Sequence, residues 1–370
     1  VATKARKTSS QKAEQSSSML WILLTALFGG GLGGYLEPDL PILGPLMQGL
    51  QSRAVSDSSG NLVEKQSAVS VANGGNVVPN QPPPLNAPPP GVLVSAQRPG
   101  DKLLIASFNI QVFGTSKLAN IDAMAVIVQT IRQFDIVAIQ EVRAKEDDIL
   151  PKLVDALNQN GSRYSFLIGP RLGRSNSKEQ YAFVYDTNRV EYDPSSIGTF
   201  PDPTDLLHRE PFIARFRPRT SAPERAFSFW LVNIHTDPDE VATEVAALAD
   251  VFQRMRVARA DEDDVILMGD LNASETQLGK LGQIPGIHWA VRGVMTNTRQ
   301  NKQYDNILFD GAATREYTGR WGVFDLCAQY RISLDNALLV SDHFPVWAEF
   351  GIWEAQTQQQ FTQSTQNMRR

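Results

Sequence analysis

The chain has 370 residues with 35 Lys and Arg against 40 Asp and Glu, a formal net charge of −5. That length allows one large domain or two medium ones, and the charge excludes a histone-like protein that holds nucleic acid by bulk positive charge. The lone cysteine, Cys327, excludes an internal disulfide framework and a cysteine-rich zinc site; within the apolar run Val323–Ala328 it reads as a small buried hydrophobe.

Residues 1–18 are polar and basic, with Lys4, Arg6, Lys7 and Lys12. An uncharged stretch follows over 19–36, apolar from Met19 to Phe28 and then glycine-rich. Its length suits a transmembrane helix, and the basic residues before it place the N-terminus in the cytoplasm and everything after it outside. The expectation is therefore a membrane anchor with an extracytoplasmic catalytic domain. A cleaved signal peptide, giving a secreted protein, and a buried or peripheral helix are the alternatives. Residues 37–100 are rich in Ser, Gly, Asn and Pro, including Pro82-Pro83-Pro84 and Pro88-Pro89-Pro90. Such a composition builds no packed core and reads as a disordered linker.

From 101 to 353 the pattern becomes that of a folded α/β domain. Lys102 to Ile110 reads as a buried strand, residues 117–133 as a helix with Leu118, Ile121, Ala125, Val128 and Ile131 on its apolar face, and Asp135 to Gln140 as a second strand. A helix over 147–159 and strands over 164–168, 181–186, 211–217 and 227–234 follow. Residues 238–258 form a helix facing the core with Val241, Val245, Leu248, Phe252 and Met255. Val265 to Met268, Tyr304 to Phe309 and Val346 to Phe350 are further strands, and 354–370 is a Gln- and Thr-rich flexible tail. This alternation predicts a central sheet covered by helices.

Polar residues recur at the ends of these strands: Asn109, Gln140-Glu141-Val142-Arg143, Asn233-Ile234-His235, Gly269-Asp270-Leu271-Asn272, Tyr304-Asp305-Asn306 and Ser341-Asp342-His343. Carboxylates and amides are hard oxygen ligands for Mg²⁺, Mn²⁺ or Ca²⁺, and two histidines can act as general acid and base near neutral pH. Together they supply what phosphodiester hydrolysis requires: an activated water, charge stabilisation and a protonated leaving oxygen. Singly each residue is ordinary, a surface carboxylate, a turn Asp or a structural histidine; their joint occurrence carries the reading. His208 and His288 lack such surroundings and receive no role in the chemistry.

The ordered series resembles the endonuclease/exonuclease/phosphatase superfamily over about residues 102–350, and within it the DNase I branch. Phe113-Gly114, Leu172-Gly173-Arg174, Lys178-Glu179 and Arg209-Glu210-Pro211 strengthen the likeness. The resemblance implies a four-layer α-β-β-α sandwich and a divalent-metal-dependent phosphodiesterase, most simply a DNA endonuclease of low sequence specificity using Mg²⁺ or Mn²⁺, with Ca²⁺ as a further ion. It implies that Asn109 and Glu141 hold the metal, that Asp270 and Asn272 bind metal or phosphate and orient the water, and that Asp342 completes this cluster. His235 and His343 would be the acid–base pair, oriented by Glu179 and Asp305. Arg143 and Arg209 would contact DNA, at the minor groove and the phosphates respectively. Two departures stand out. Ser177 occupies the place of a tyrosine that packs on a sugar in the DNase I pattern, and calcium ligands are matched only by Asp202 and Asp205. A lipid or inositol phosphodiesterase or phosphatase of the same fold is the alternative, and a catalytically silent scaffold a third reading. No obligate protein partner is expected beyond DNA and, through residues 19–36, a membrane.

Overall fold

Successive residues of a strand point to opposite faces of its sheet, and here both faces of both sheets are apolar. The computed structural model describes residues 98–174 and 178–355. The expected anchor, most of the linker, Ser177 and all but the first two residues of the tail lie outside them. Among the described residues no helix is long and apolar enough to cross a membrane.

One sheet has the order β12-β13-β1-β2-β4-β3, formed by Tyr317–Val323, Val346–Gly351, Lys102–Phe113, Ile136–Val142, Gln180–Asp186 and Tyr164–Ile168. The other runs β10-β11-β9-β8-β7-β5, formed by Ile287–Trp289, Asp305–Asp310, Val265–Asp270, Phe229–His235, Phe212–Pro218 and Val190–Tyr192, with β6 (Gly198–Thr199) beside β7. Three apolar clusters define the layering. Leu103, Ile105, Phe183, Phe212, Leu231, Ile266 and Phe309 meet between the sheets. Leu104, Ala106, Phe108, Val137 and Ile139 turn the other way, onto α2 (Ile121–Ile131), α3 (Ile149–Asn158) and α7 (Leu334–Val340). Val232, Ile234 and Leu267 face Val245, Leu248, Phe252 and Met255 of α4 (Val241–Met255). The result is the expected four-layer α-β-β-α sandwich.

Several boundaries differ from the sequence reading. The helix expected over 117–133 is two, α1 (Thr115–Ala119) and α2, parted at Asn120, whose side chain accepts Ala123 N–H and caps α2. That break shifts the apolar face to Met124, Ile127, Val128 and Ile131, and leaves Ile121 72 % exposed. Strands β5, β6, β10 and β12 and the helices α5 (Gly279–Gly282), α6 (Leu326–Tyr330) and α7 are additions. Cys327 sits in α6, half-buried rather than buried, its sulfur packed on the core. The folded body also extends beyond 101–353 at both ends. Arg98 pairs with Asp135 and Asp186, and Ala355 N–H donates to Glu316.

Candidate active site

The site is assembled by strand register. In the parallel pair β8–β9 His235 stands opposite Asp270, and in the antiparallel pair β9–β11 Asp270 stands opposite Asp305. Three polar side chains thus occupy one rung at the edge of one sheet. Asn109 stands opposite Gln140 at the corresponding edge of the other. Gly269 makes the approach possible. Its φ is +151°, and a Cβ there would lie 1.9 Å from Ile234 O.

The edges are joined by buried amides. Gln140 Nε2 donates to Asn233 Oδ1 at 2.6 Å, and Asn109 Nδ2 donates to Asp270 Oδ2 at 3.0 Å and Glu141 Oε1 at 3.2 Å. Asn233 Nδ2 returns to the carbonyls of Ile139 and Ala182. These buried polar groups are satisfied only when the sheets keep this relative position, so the contacts fix the register between layers.

Each histidine is held from behind. His235 Nδ1 lies 2.7 Å from Glu179 Oε1, and His343 Nδ1 lies 2.9 Å from Asp305 Oδ2. Both Nε2 atoms stand 3.5 Å from Asp270 Oδ2, so the pair straddles one carboxylate. Burial disfavours both imidazolium forms, but the facing carboxylates outweigh it. Glu179 raises His235, and Asp305, Asp270 and Asp342 push His343 up to about 10. Burial raises Asp305 as well, opposing the histidine's direction. The histidine's direction governs the pair: three carboxylates face His343, while Asp305 Oδ2 also accepts Thr296 Oγ1–H at 2.7 Å, which steadies its anion. Burial works against the Glu179 carboxylate too, yet His235, Arg209 and Arg143 bring it below its ordinary range.

Of the expected metal residues, Asn109, Glu141 and Asp270 come together. Asn109 Oδ1 is buried and has no hydrogen-bond partner, and Glu141 and Asp270 converge on the same amide. Asp342 stands beside this group: Gln111 Nε2 donates to its Oδ2 at 2.9 Å, and its Oδ1 has no hydrogen bond and lies 3.9 Å from His343 Nε2. An orphaned amide oxygen beside the Glu141 and Asp270 carboxylates suits a hard divalent cation. Backbone strain gathers here: Val112, Glu141 and Asn272 have φ of 50°, 64° and 47°. Asn272 N–H donates to Asp270 Oδ1 at 2.9 Å and its Nδ2 to Thr236 O, so it braces Asp270.

The two arginines sit differently from one another. Arg209 is 6 % exposed; its Nε lies 3.0 Å from Glu179 Oε1 and its Nη1 donates to His235 O. It braces the histidine from behind and at the same time lines the cleft. Arg143, with a quarter of its side chain exposed, pairs with Glu179 at 3.2 Å and Glu141 at 3.3 Å. Asp202 and Asp205 are engaged within their own loop or by Arg174: Asp202 accepts Thr204 Oγ1–H and Leu207 N–H, and Asp205 pairs with Arg174.

Several contributors were missed by sequence reasoning. Tyr181 Oη accepts His235 N–H, Thr296 holds Asp305, and Ser341 Oγ ties Asn109 O to His343 N–H. Only the adjacency of Ser341 to Asp342-His343 hinted at any of them. His208, given no role, lines the cleft, and its Nδ1 lies 3.5 Å from Asp237. His208, Glu240 and Glu244 bring ligand atoms within 4.8 Å of one another. Both Glu244 oxygens, however, already accept backbone N–H groups, from His208 and Asp237, which makes Glu244 a loop brace. His288 is remote from the cleft, pressed against Phe309 and Tyr317.

These groups line a cleft of about 420 Å³ bounded by Glu141, Arg143, Arg209, His235, Asp270, Asp342 and His343. It shares Pro238, Asn272 and Tyr304 with a neighbouring groove of about 440 Å³ that holds Ser274, Asn301, Lys302 and Gln303. Tyr304 lies beside the His343 ring, with centroids 5.7 Å apart.

A two-sheet sandwich with paired, carboxylate-backed histidines over a carboxylate–amide cluster defines a hydrolase that attacks phosphate esters. The sequence profile of the Endonuclease/Exonuclease/phosphatase family matches residues 106–343, and the chain belongs to that family. It is 34 % identical over 285 residues to deoxyribonuclease gamma of Rattus norvegicus, covering 72 % of this chain and 88 % of the relative. It is 33 % identical over 267 residues to deoxyribonuclease-1 of Bos taurus, covering 67 % and 92 %. Among solved structures, an endonuclease/exonuclease/phosphatase family protein from Bacteroides thetaiotaomicron aligns with a TM-score of 0.48 at 18 % identity, over 68 % of this chain and 98 % of that one. The chain is thus a DNase I-like member of the family and a hydrolase of phosphodiester bonds.

Proposed function

We propose that the protein is a divalent-metal-dependent DNA endonuclease of low sequence specificity. The observation that carries this reading is the symmetric placement of His235 and His343, each fixed through Nδ1 by a buried carboxylate and each presenting Nε2 toward Asp270. A carboxylate behind an imidazole sets its tautomer and raises its basicity. One histidine then takes the proton from the attacking water, and the other delivers a proton to the departing oxygen.

Mg²⁺ or Mn²⁺ would be held by Asn109, Glu141 and Asp270, with Asp342 beside them, and would supply charge neutralisation at the phosphate oxygens. Asn272 keeps Asp270 oriented through its backbone N–H. Arg143 is the arginine able to reach substrate from the cleft wall, and Arg209 acts by steadying Glu179 and His235. The adjoining groove, with Lys302 and several amides, offers a path for the polynucleotide beyond the scissile phosphate. Relatives that carry deoxyribonuclease names at 33–34 % identity support DNA as the substrate. A lipid substrate finds less support. Among the described residues, the exposed large apolar side chains close in sequence to cleft residues, Val112, Leu206 and Met295, come singly from three separate segments.

Tethering through residues 19–36, with the catalytic domain extracytoplasmic, is part of the proposal. It is supported by the uncharged run and the basic residues before it. Fractionation of cells expressing the full chain tests it, and recovery in the soluble cytoplasmic fraction would overturn it. The function itself is tested with single-stranded and duplex DNA, a sphingomyelin vesicle and an inositol phosphate under Mg²⁺. Turnover of either DNA form at least a hundredfold above the other two is expected. Preference for lipid or inositol phosphate would refute DNA as the substrate.

A further inference from the structure

A second carboxylate cluster lies at the far end of β9. Asp264 immediately precedes that strand and Asp270 ends it, so the two are separated by about 20 Å at ~3.3 Å per residue. One carboxylate oxygen each from Asp264, Glu316 and Glu354 lies within 4.8 Å of the others. Glu262, next to them, is already answered: Arg215 Nε pairs with it at 2.9 Å, and it accepts Ser228 Oγ–H and Asp264 N–H.

The other oxygens are not satisfied in the same way. Asp264 is 2 % exposed and its Oδ1 has no hydrogen-bond partner; Glu316 is 5 % exposed and its Oε2 has none. The Thr314 hydroxyl, on a residue 1 % exposed, stands beside Asp264 without closing a well-formed hydrogen bond. Two buried carboxylate oxygens without partners, Asp264 Oδ1 and Glu316 Oε2, are costly in a fold unless something binds them. Glu354, exposed at the mouth, gives access from solvent.

We propose that Asp264, Glu316 and Glu354, with Thr314 beside them, form a second divalent-cation site that takes Ca²⁺ and fastens the C-terminal end of the domain. The donor set favours calcium. Three carboxylates and a hydroxyl make an all-oxygen, protein-built cage, which suits the flexible coordination of Ca²⁺, whereas Mg²⁺ dehydrates reluctantly and usually keeps several waters. The consequence is local. Trp353 bridges to Ala226, Glu354 N–H donates to Arg225 O, and Ala355 N–H donates to Glu316 Oε1 at 2.6 Å, so an ion on Glu316 and Glu354 holds the segment that leaves β13.

The test uses the full chain stripped with chelator. Ca²⁺ binding is measured by calorimetry and by tryptophan-sensitised Tb³⁺ luminescence, on wild type, Asp264→Asn and Glu354→Gln. Wild type is expected to bind one more Ca²⁺ per chain than either variant, or to bind that ion at least tenfold more tightly. Its melting temperature should rise with Ca²⁺ by more than theirs, with Mg²⁺-supported phosphodiester turnover at 20 °C unchanged in Glu354→Gln. Glu354 is exposed, so Glu354→Gln decides the matter even if Asp264→Asn does not fold. A folded Glu354→Gln that binds Ca²⁺ with wild-type stoichiometry and affinity and shows the same thermal shift would overturn the site.

Discussion

Replacing Glu179 by Gln removes one charge from a fully buried position and leaves its size unchanged. The wild-type carboxylate accepts His235 Nδ1–H at 2.7 Å and lies 3.0 Å from Arg209 Nε and 3.2 Å from Arg143 Nη2. A glutamine has one acceptor oxygen for these three donors, and its amide can present N–H to His235 and favour the wrong tautomer. Acid–base catalysis contributes about 10²–10⁴ in rate, so kcat should fall by that factor, which is about 2.7–5.5 kcal/mol of transition-state stabilisation. KM should move little, since Glu179 is 0 % exposed and touches no substrate. Breaking a buried ion pair costs roughly 3–5 kcal/mol, so the melting temperature should drop as well. Because Glu179 acts through His235, the effect should nearly vanish in a His235→Ala background. Steady-state nicking of plasmid by the four proteins of the cycle reads this out. Additive losses, or a Glu179→Gln enzyme within threefold of wild type, would refute the positioning role.

Arg143→Ala should lower hydrolysis of a small phosphodiester and lower plasmid nicking by about a further tenfold, whereas Arg209→Ala should reduce both equally; a uniform loss for Arg143 would make it a brace alone. His288→Phe should abolish part of the acid lability measured by denaturant melts. Burial, with Arg292 nearby, depresses His288 to about 4 from 6.5. The stability this neutral histidine contributes is thus full above pH 6.5 and lost as pH falls toward 4, by an order-of-magnitude ~3 kcal/mol. Equal acid lability in wild type and variant would contradict that. Gly269→Ala should fail to yield folded protein by circular dichroism, because the added Cβ meets the Ile234 carbonyl at 1.9 Å; a folded, active variant would show that β8 and β9 can separate.

The strand ends were legible because a buried apolar run followed by Asn, Glu, His or Asp is a local pattern, and register then brings those ends to one rung. Glu179, Asp305 and both histidines were assigned through the resemblance, and the structure pairs them as that resemblance implied. Strands of two or three residues such as β5, β6 and β10 hold too few positions to show alternation. The phase of α2 is not legible in the sequence because the helical spacing runs through Asn120, which caps a new helix there. Tyr181 and Thr296 escaped notice because their roles depend on contacts between segments, the first joining positions 54 residues apart. The sequence cannot show that Arg209, just ahead of β7, also turns its guanidinium onto Glu179. The far-end carboxylates are likewise dispersed, from 262 to 354, and look like ordinary surface acids until the fold collects them.

The central claim, metal-dependent cleavage by a paired-histidine site, is tested most directly by incubating supercoiled plasmid with the purified protein in Mg²⁺, in Mn²⁺ and in EDTA, beside His343→Ala. Nicking that requires metal and falls by at least a hundredfold in the variant is the expected result. Undiminished nicking in EDTA, or by a folded His343→Ala protein, would contradict it.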